Sequence, residues 1–122
     1  MSRGRAMKEM PIPAAAKRDQ ESVEMLRVWI AENSLWCSVK VGMYAGATVA
    51  PEVTAWGTIL ADATRHIADA LAQEYGTDTA EAIRQISRCF LKELNEPTSE
   101  ASVLNQKFEV SLIHRDLPDS PS

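Results

Sequence analysis

The chain has 122 residues and a formal net charge of −4, with 45% hydrophobic and 25% charged residues. These values are typical of a globular domain, and they exclude a collagen, a coiled-coil rod, a disulfide scaffold and a wholly disordered chain. They do not name an activity.

The charge is unevenly distributed along the chain. Residues 1–18 carry five basic side chains and one acidic side chain, whereas residues 19–122 carry 8 basic and 16 acidic ones. We expect residues 1–21 to form a flexible basic arm, residues 22–114 a single α+β domain, and residues 115–122 a disordered tail. The acidic domain disfavours nucleic acid as a partner, because binding a polyanion requires clustered cations.

The two cysteines, Cys37 and Cys89, lie within apolar patterns and form no C-x-x-C pair. We interpret both as small buried hydrophobic residues in a reducing compartment. The charged, proline-containing start does not match a secretory signal, and no stretch approaches the roughly 20 apolar residues of a membrane span. The sequence therefore predicts a cytoplasmic protein without a membrane partner.

Two alternating segments, residues 22–31 and 35–44, predict an antiparallel β-hairpin across the polar residues 32–34. The apolar residues have even numbers in the first segment and odd numbers in the second. Because paired residues share a face, the two residue numbers of each pair must add up to an odd value. A sum of 67 leaves a two-residue loop and pairs Val28 with Val39. A sum of 65 leaves a four-residue loop and pairs Trp29 with Trp36. The second register is slightly favoured, because it separates Arg27 from Lys40.

Two amphipathic helices are predicted next. Pro51 suits a helix start, and a stripe of apolar residues three and four apart then extends to Tyr75. Gly76 is typical of a helix end, and Asp78 with Glu81 resembles the capped start of a second helix that reaches about Pro97. A second apolar stripe lies on that helix: Ile83, Ile86, Phe90 and Leu94. Residues 107–113 alternate again and predict a third strand.

The order β-β-α-α-β predicts an α+β two-layer sandwich, with a three-stranded antiparallel sheet and both helices on one face. The third strand could lie beside the second or the first. The side chains expected to meet the helices are Leu26, Val28, Ile30, Cys37, Val39, Val41, Val110 and Leu112.

The opposite sheet face then has no third layer to cover it, and its aromatic content suggests an interaction site. The candidate interface residues are Met25, Arg27, Trp29, Trp36, Lys40 and Tyr44. This face could pair with a second copy in a homodimer or lie under the arm. It could stack the bases of single-stranded nucleic acid, or its aromatics could pack within the monomer.

Signals for a chemical site are weaker. Asp62, His66 and Asp69 lie on one helix surface, but Arg65 between them indicates a solvated charged face rather than a metal site. His114 is expected at the surface. Gly57 within a helix suggests the close approach of another backbone, and Gly46, Trp56 and Gly57 could line a small ligand pocket at the sheet–helix seam. We find no nucleophile, metal or cofactor motif, so an enzyme is not favoured and no cofactor is predicted.

The stretches LRVWIAENSLWCSVKVGMY and AWGTILADATRHIADAL resemble a small family of uncharacterised bacterial proteins, a domain of unknown function found mainly in alphaproteobacteria. The resemblance covers roughly residues 7–95. It implies a bacterial cytoplasmic protein without an assigned activity, and it transfers no catalytic or binding residues.

Overall fold

The computed structural model describes residues 7–98 and 108–112. In chain order, its elements are α1 (Ala14–Arg18), β1 (Leu26–Ala31), β2 (Ser34–Val41), α2 (Ala50–Tyr75), α3 (Thr79–Asn95) and β3 (Phe108–Leu112). The α+β class and the order β-β-α-α-β are confirmed, and the short helix α1 is an addition within the predicted arm. The predicted tail and His114 lie outside the described residues.

The hairpin adopts the favoured register, in which Trp29 pairs with Trp36. The ladder extends one pair further than expected, so the loop contains only Glu32 and Asn33 rather than four residues. Both residues have positive φ angles, 52° and 60°. This is the geometry of a type I′ turn, whose twist matches that of the flanking strands.

The helix boundaries follow the local signals. Pro51 lies in the first turn of α2, and Gly76 ends that helix in the left-handed conformation with φ of 73°. The Asp78 side chain accepts a hydrogen bond of 2.9 Å from the Glu81 amide and caps α3. These three predictions are confirmed.

The sheet has the order β1-β2-β3, so the third strand lies beside the second. It pairs with β2 in parallel, and the predicted all-antiparallel sheet is therefore wrong. That prediction assumed that two helices return the chain to the end of β2. With 26 and 17 residues, however, α2 is about 39 Å long and α3 about 26 Å. The 12 residues between α3 and β3 can span up to about 40 Å, enough to reach the other end of β2.

The helices pack on each other but not across the sheet. Among the described residues, extensive contacts join β1 to β2, β2 to β3 and α2 to α3, while no helix makes more than a marginal contact with a strand. The expected cover of the sheet by both helices is therefore not found. In this part of the chain only Ala68 and Glu52 are buried. A chain of this size normally buries about two-thirds of its unfolded surface, so one copy leaves its core incomplete.

Candidate interaction surfaces

One face of the sheet consists entirely of apolar side chains, and we call it the aliphatic sheet face. Its members are Leu26, Val28, Ile30, Leu35, Cys37, Val39, Val41, Phe108, Val110 and Leu112. They share a face because each pair is aligned across neighbouring strands, as Val28 and Phe108 are with Cys37. Six of the ten are exposed, and Ile30 is 81% exposed. An open apolar surface of this extent is typical of an interaction site.

A second open apolar surface follows α2, and we call it the helix seam. Val53, Trp56, Leu60, Ala63 and Ile67 recur at spacings of three and four, which places them along one side of the helix. Val53 is 64% exposed and Ile67 is 50% exposed. α2 also packs on α3, and Ala68 is completely buried. Val53, Leu60 and Ile67 nevertheless remain exposed, so the described chain leaves this part of the helix uncovered.

The predicted aromatic interface lies on the opposite side of the sheet from the aliphatic sheet face, and we call it the indole face. Trp29 and Trp36 are cross-strand partners and are half-buried. The Trp36 indole N–H donates to the Ala31 carbonyl at 2.9 Å. The expectation that this would be the open side of the sheet is therefore not met, because the more exposed large side chains lie on the aliphatic sheet face.

Arg27 organises this indole face. Its guanidinium lies 2.7 Å from the Glu9 carboxylate and 3.0 Å from that of Glu24, and it is 6.0 Å from the Trp29 ring. The hydrogen bond to Glu24 and the charge of that residue, followed by the hydrogen bond to Glu9 and its charge, raise the pKa of Arg27. Glu9 belongs to the arm, so the arm reaches the indole face, which is one of the alternatives left open by the sequence.

Of the remaining predicted interface residues, Met25 and Lys40 lie beside this cluster, whereas Tyr44 lies outside the sheet. The Met25 carbonyl accepts the Lys40 amide at 2.9 Å, which extends the hairpin register by one pair. The Lys40 ammonium donates to the Ser111 hydroxyl at 3.0 Å and ties β2 to β3. Tyr44 lies beyond the end of β2, in the connection to α2. A shallow concave surface beside this cluster is lined by Ser22, Val23, Glu24, Leu26, Arg27, Ser38, Val39, Lys40 and Ser111.

Glu52 joins the end of β2 to the start of α2, and we call its contacts the Glu52 clamp. It is only 5% exposed. Its carboxylate accepts the Tyr44 amide at 2.8 Å, the Gly42 amide at 3.1 Å and the Trp56 indole N–H at 3.0 Å. The hydrogen bonds from Tyr44 and Gly42 lower the pKa of Glu52, because they favour its charged form. The clamp thus holds the first turn of α2 beside the end of β2.

The sequence did not identify Glu52 as a functional residue. The available signal was a carboxylate one residue after Pro51 and four before Trp56, a spacing that places the two side chains together on a helix. The Gly42 and Tyr44 contacts use backbone amides, whose directions depend on the turn, where Gly42 has φ of 107°. No residue pattern encodes them.

The residues of the predicted ligand pocket have separate contacts in the structure. Trp56 belongs to the Glu52 clamp. A Cβ atom at Gly46 or Gly57 would meet no other atom of the described chain within 4 Å. The close backbone approach expected at Gly57 is therefore wrong. The Gly46 amide donates to the Thr48 carbonyl at 3.2 Å. A small ligand bound between the sheet and α2, near Gly46, Trp56 and Gly57, stays a prediction.

The charged side of α2 is exposed to solvent, and neither cysteine is fully buried. Arg65 pairs with Asp62, as expected of a solvated face. No three histidine, cysteine or acidic side chains are grouped to hold a metal ion in residues 7–98 and 108–112. Both cysteines are free, but Cys89 is exposed and Cys37 only half-buried, so their predicted burial is not found. None of the helices described has the length and apolar character needed to cross a membrane.

Comparison with known proteins identifies a family and solved structures that are similar to this chain. Residues 9–98 match the family described as "Domain of unknown function (DUF5076)". A structure described as "a putative pyruvate dehydrogenase from the photosynthetic bacterium Rhodopseudomonas palustrus CGA009" is 30% identical, with a TM-score of 0.55. The match covers 80% of this chain and 93% of that one. No curated protein matches.

Proposed function

This chain belongs to the DUF5076 family, and from that premise we propose that it is a self-associating interaction protein without catalytic activity, in which a second copy completes the core. The observation that carries the proposal is the burial pattern. Ala68 is the one buried hydrophobic residue among residues 7–98 and 108–112, while twenty large hydrophobic side chains there are exposed. Folding stability comes mainly from apolar burial, so these side chains need a partner to cover them.

The segments outside the described residues contain few apolar side chains. Residues 1–6, 99–107 and 113–122 contain five large hydrophobic side chains: Met1, Val103, Leu104, Ile113 and Leu117. A second copy instead brings a full set of matching surfaces, and two-fold dimers are the commonest protein assemblies. We therefore assign the cover to a homodimer.

The aliphatic sheet face and the helix seam support this proposal better than the indole face does. Arg27 is already paired with Glu9 and Glu24, and Lys40 with Ser111. Those partners also reduce the cations available for the phosphates of single-stranded nucleic acid, the alternative ligand of the indole face. The indole face remains the second candidate for the contact between copies. Two free cysteines fit a reducing cytoplasm.

Sedimentation equilibrium at micromolar concentrations tests the proposal. We expect a mass of twice 13.4 kDa for the unmodified protein. Leu60→Asp should dissociate, because a charge on the helix seam would have to be buried unpaired. Trp29→Lys on the indole face is the matched variant and should remain dimeric. A single-chain mass for the unmodified protein would contradict the proposal, and dissociation of Trp29→Lys alone would move the interface to the indole face.

The description of the bacterial relative suggests the second candidate, an enzyme that oxidises pyruvate. Identity of 30% over most of both chains is the observation that favours it. Purified protein with pyruvate and an artificial electron acceptor tests this activity. Reduction of the acceptor above that of a heat-denatured control would replace the non-catalytic proposal.

A further inference from the structure

The two open apolar surfaces of this chain have complementary roles in a layered fold. A sheet face is covered in α+β proteins by helices, and an amphipathic helix is covered by a sheet or another helix. Within residues 7–98 and 108–112, no helix layer covers the aliphatic sheet face, and Val53, Leu60 and Ile67 of the helix seam are exposed. The chain therefore carries two surfaces that could pack on each other, but they are not in contact within one copy.

The Glu52 clamp explains why they are not joined within the chain. Two hydrogen bonds, from the Gly42 and Tyr44 amides to the buried Glu52 carboxylate, fix the start of α2 beside the end of β2. The Trp56 indole N–H, from within α2, holds the same carboxylate. With its first turn held there, α2 leaves Leu60 and Ile67 open rather than placed over its own sheet. A rigid connection at this point favours cover by another molecule.

Building on the proposed self-association, we infer that two copies exchange their helices. The α2 seam of each copy lies on the aliphatic sheet face of the other, so that both surfaces of both chains are covered in one closed dimer. This contact is reciprocal, with the same two surfaces used by each copy, as two-fold symmetry requires.

The dimensions of the two surfaces match. The seam from Val53 to Ile67 comprises 15 residues, and its ends are about 21 Å apart along the helix. The sheet face from Leu35 to Val41 comprises seven residues of β2, and its ends are about 20 Å apart along the strand. Neither surface includes a charged side chain among its members. One helix can therefore lie along the sheet without burying an unpaired charge.

The available area is close to what a stable dimer requires. Full burial of an aliphatic side chain removes roughly 60–120 Å² of apolar surface from water. The nine exposed side chains of the two surfaces are on average about half exposed, which gives about 450 Å² of apolar area per chain. At the apolar share of about 65% in homodimer interfaces, this corresponds to about 700 Å² per partner, near the usual 800 Å² or so.

A dimer formed through two identical surfaces would cover less of the exposed apolar area. The seam supplies roughly a third of this area, so a helix-to-helix dimer would be small and would leave the sheet open. A sheet-to-sheet dimer would leave the seam open. Of these three arrangements, exchange is the one that covers both surfaces.

Thiol crosslinking of mixed variants tests the exchange. The sheet probe is Cys89→Ala, which retains Cys37 on the aliphatic sheet face. The helix probe carries Cys37→Ala, Cys89→Ala and Leu60→Cys. The matched control replaces Leu60→Cys with Asp69→Cys on the exposed side of the same helix. Differently tagged sheet and helix probes are refolded together and treated with a bis-maleimide.

Exchange predicts at least tenfold more mixed product with the helix probe than with the control. A second variant, with Cys89→Ala and Leu60→Cys in one chain, should give a two-chain product. Ile67→Cys repeats the test if Leu60→Cys does not fold. Product from one probe alone, no mixed product in a protein of dimer mass, or a link within one chain would overturn the exchange. A single-chain mass for the unmodified protein would overturn the self-association as well.

Discussion

Ile30 gives the sharpest test of the apolar surfaces, because it is 81% exposed in one copy and lies on the aliphatic sheet face. Ile30→Ala removes three carbon atoms, worth about 0.8 kcal/mol each when they are fully buried. Scaled by the exposed fraction that a partner would cover, the loss is about 2 kcal/mol per chain and about 4 kcal/mol per two-fold dimer. This corresponds to a roughly thousandfold weaker dimer.

The matched control is Ile12→Ala, the same substitution at a residue of the arm that is 49% exposed. We expect its dissociation constant to stay within about threefold of the unmodified value, since it lies on neither surface. Fluorescence-detected sedimentation velocity over a dilution series measures both constants, and circular dichroism checks that the strands remain formed. Equal, small effects for Ile30→Ala and Ile12→Ala would refute the assignment of the aliphatic sheet face to the interface.

Three further substitutions test local features. The lowered pKa of Glu52 means that its contribution to stability is complete above the ordinary value of 4.5 and is lost as pH falls through the lower folded-state value. Glu52→Gln should therefore have a lower urea midpoint at pH 7 and a weaker decline in acid; parallel curves would contradict the clamp. Asp78→Ala should reduce the free energy of unfolding by about 1 kcal/mol through loss of the α3 cap, measured by urea titration against Asp69→Ala, and an equal effect of both would speak against the cap. Glu32→Asn should raise that free energy by about 0.5–1 kcal/mol because Asn tolerates positive φ better than Glu, while Glu21→Asn should not; a loss of stability at position 32 would count against the type I′ turn.

Local features of this fold could be predicted from the sequence because local chemistry decides them. The register follows from face parity and from the separation of Arg27 and Lys40. The end of α2 follows from Gly76, and the start of α3 from Asp78. Each depends on residues close in sequence or on one pair of strands.

Features that depend on distant parts of the chain could not be predicted. The direction of β3 depends on the unequal lengths of two helices and on a long connection. The Glu52 clamp depends on backbone amides of Gly42 and Tyr44. Alternation identified the apolar side of the hairpin correctly, but periodicity indicates which side chains prefer burial and not which molecule buries them.

The dependence of stability on protein concentration tests most directly the claim that a second copy completes the core. If folding requires association, the thermal midpoint must rise with chain concentration, because mass action favours the folded dimer. We therefore predict a steadily rising midpoint between about 1 and 100 μM, since the gain is RT times the logarithm of concentration. A cooperative transition whose midpoint stays constant over that range would contradict the account, because the chain would then be stable alone.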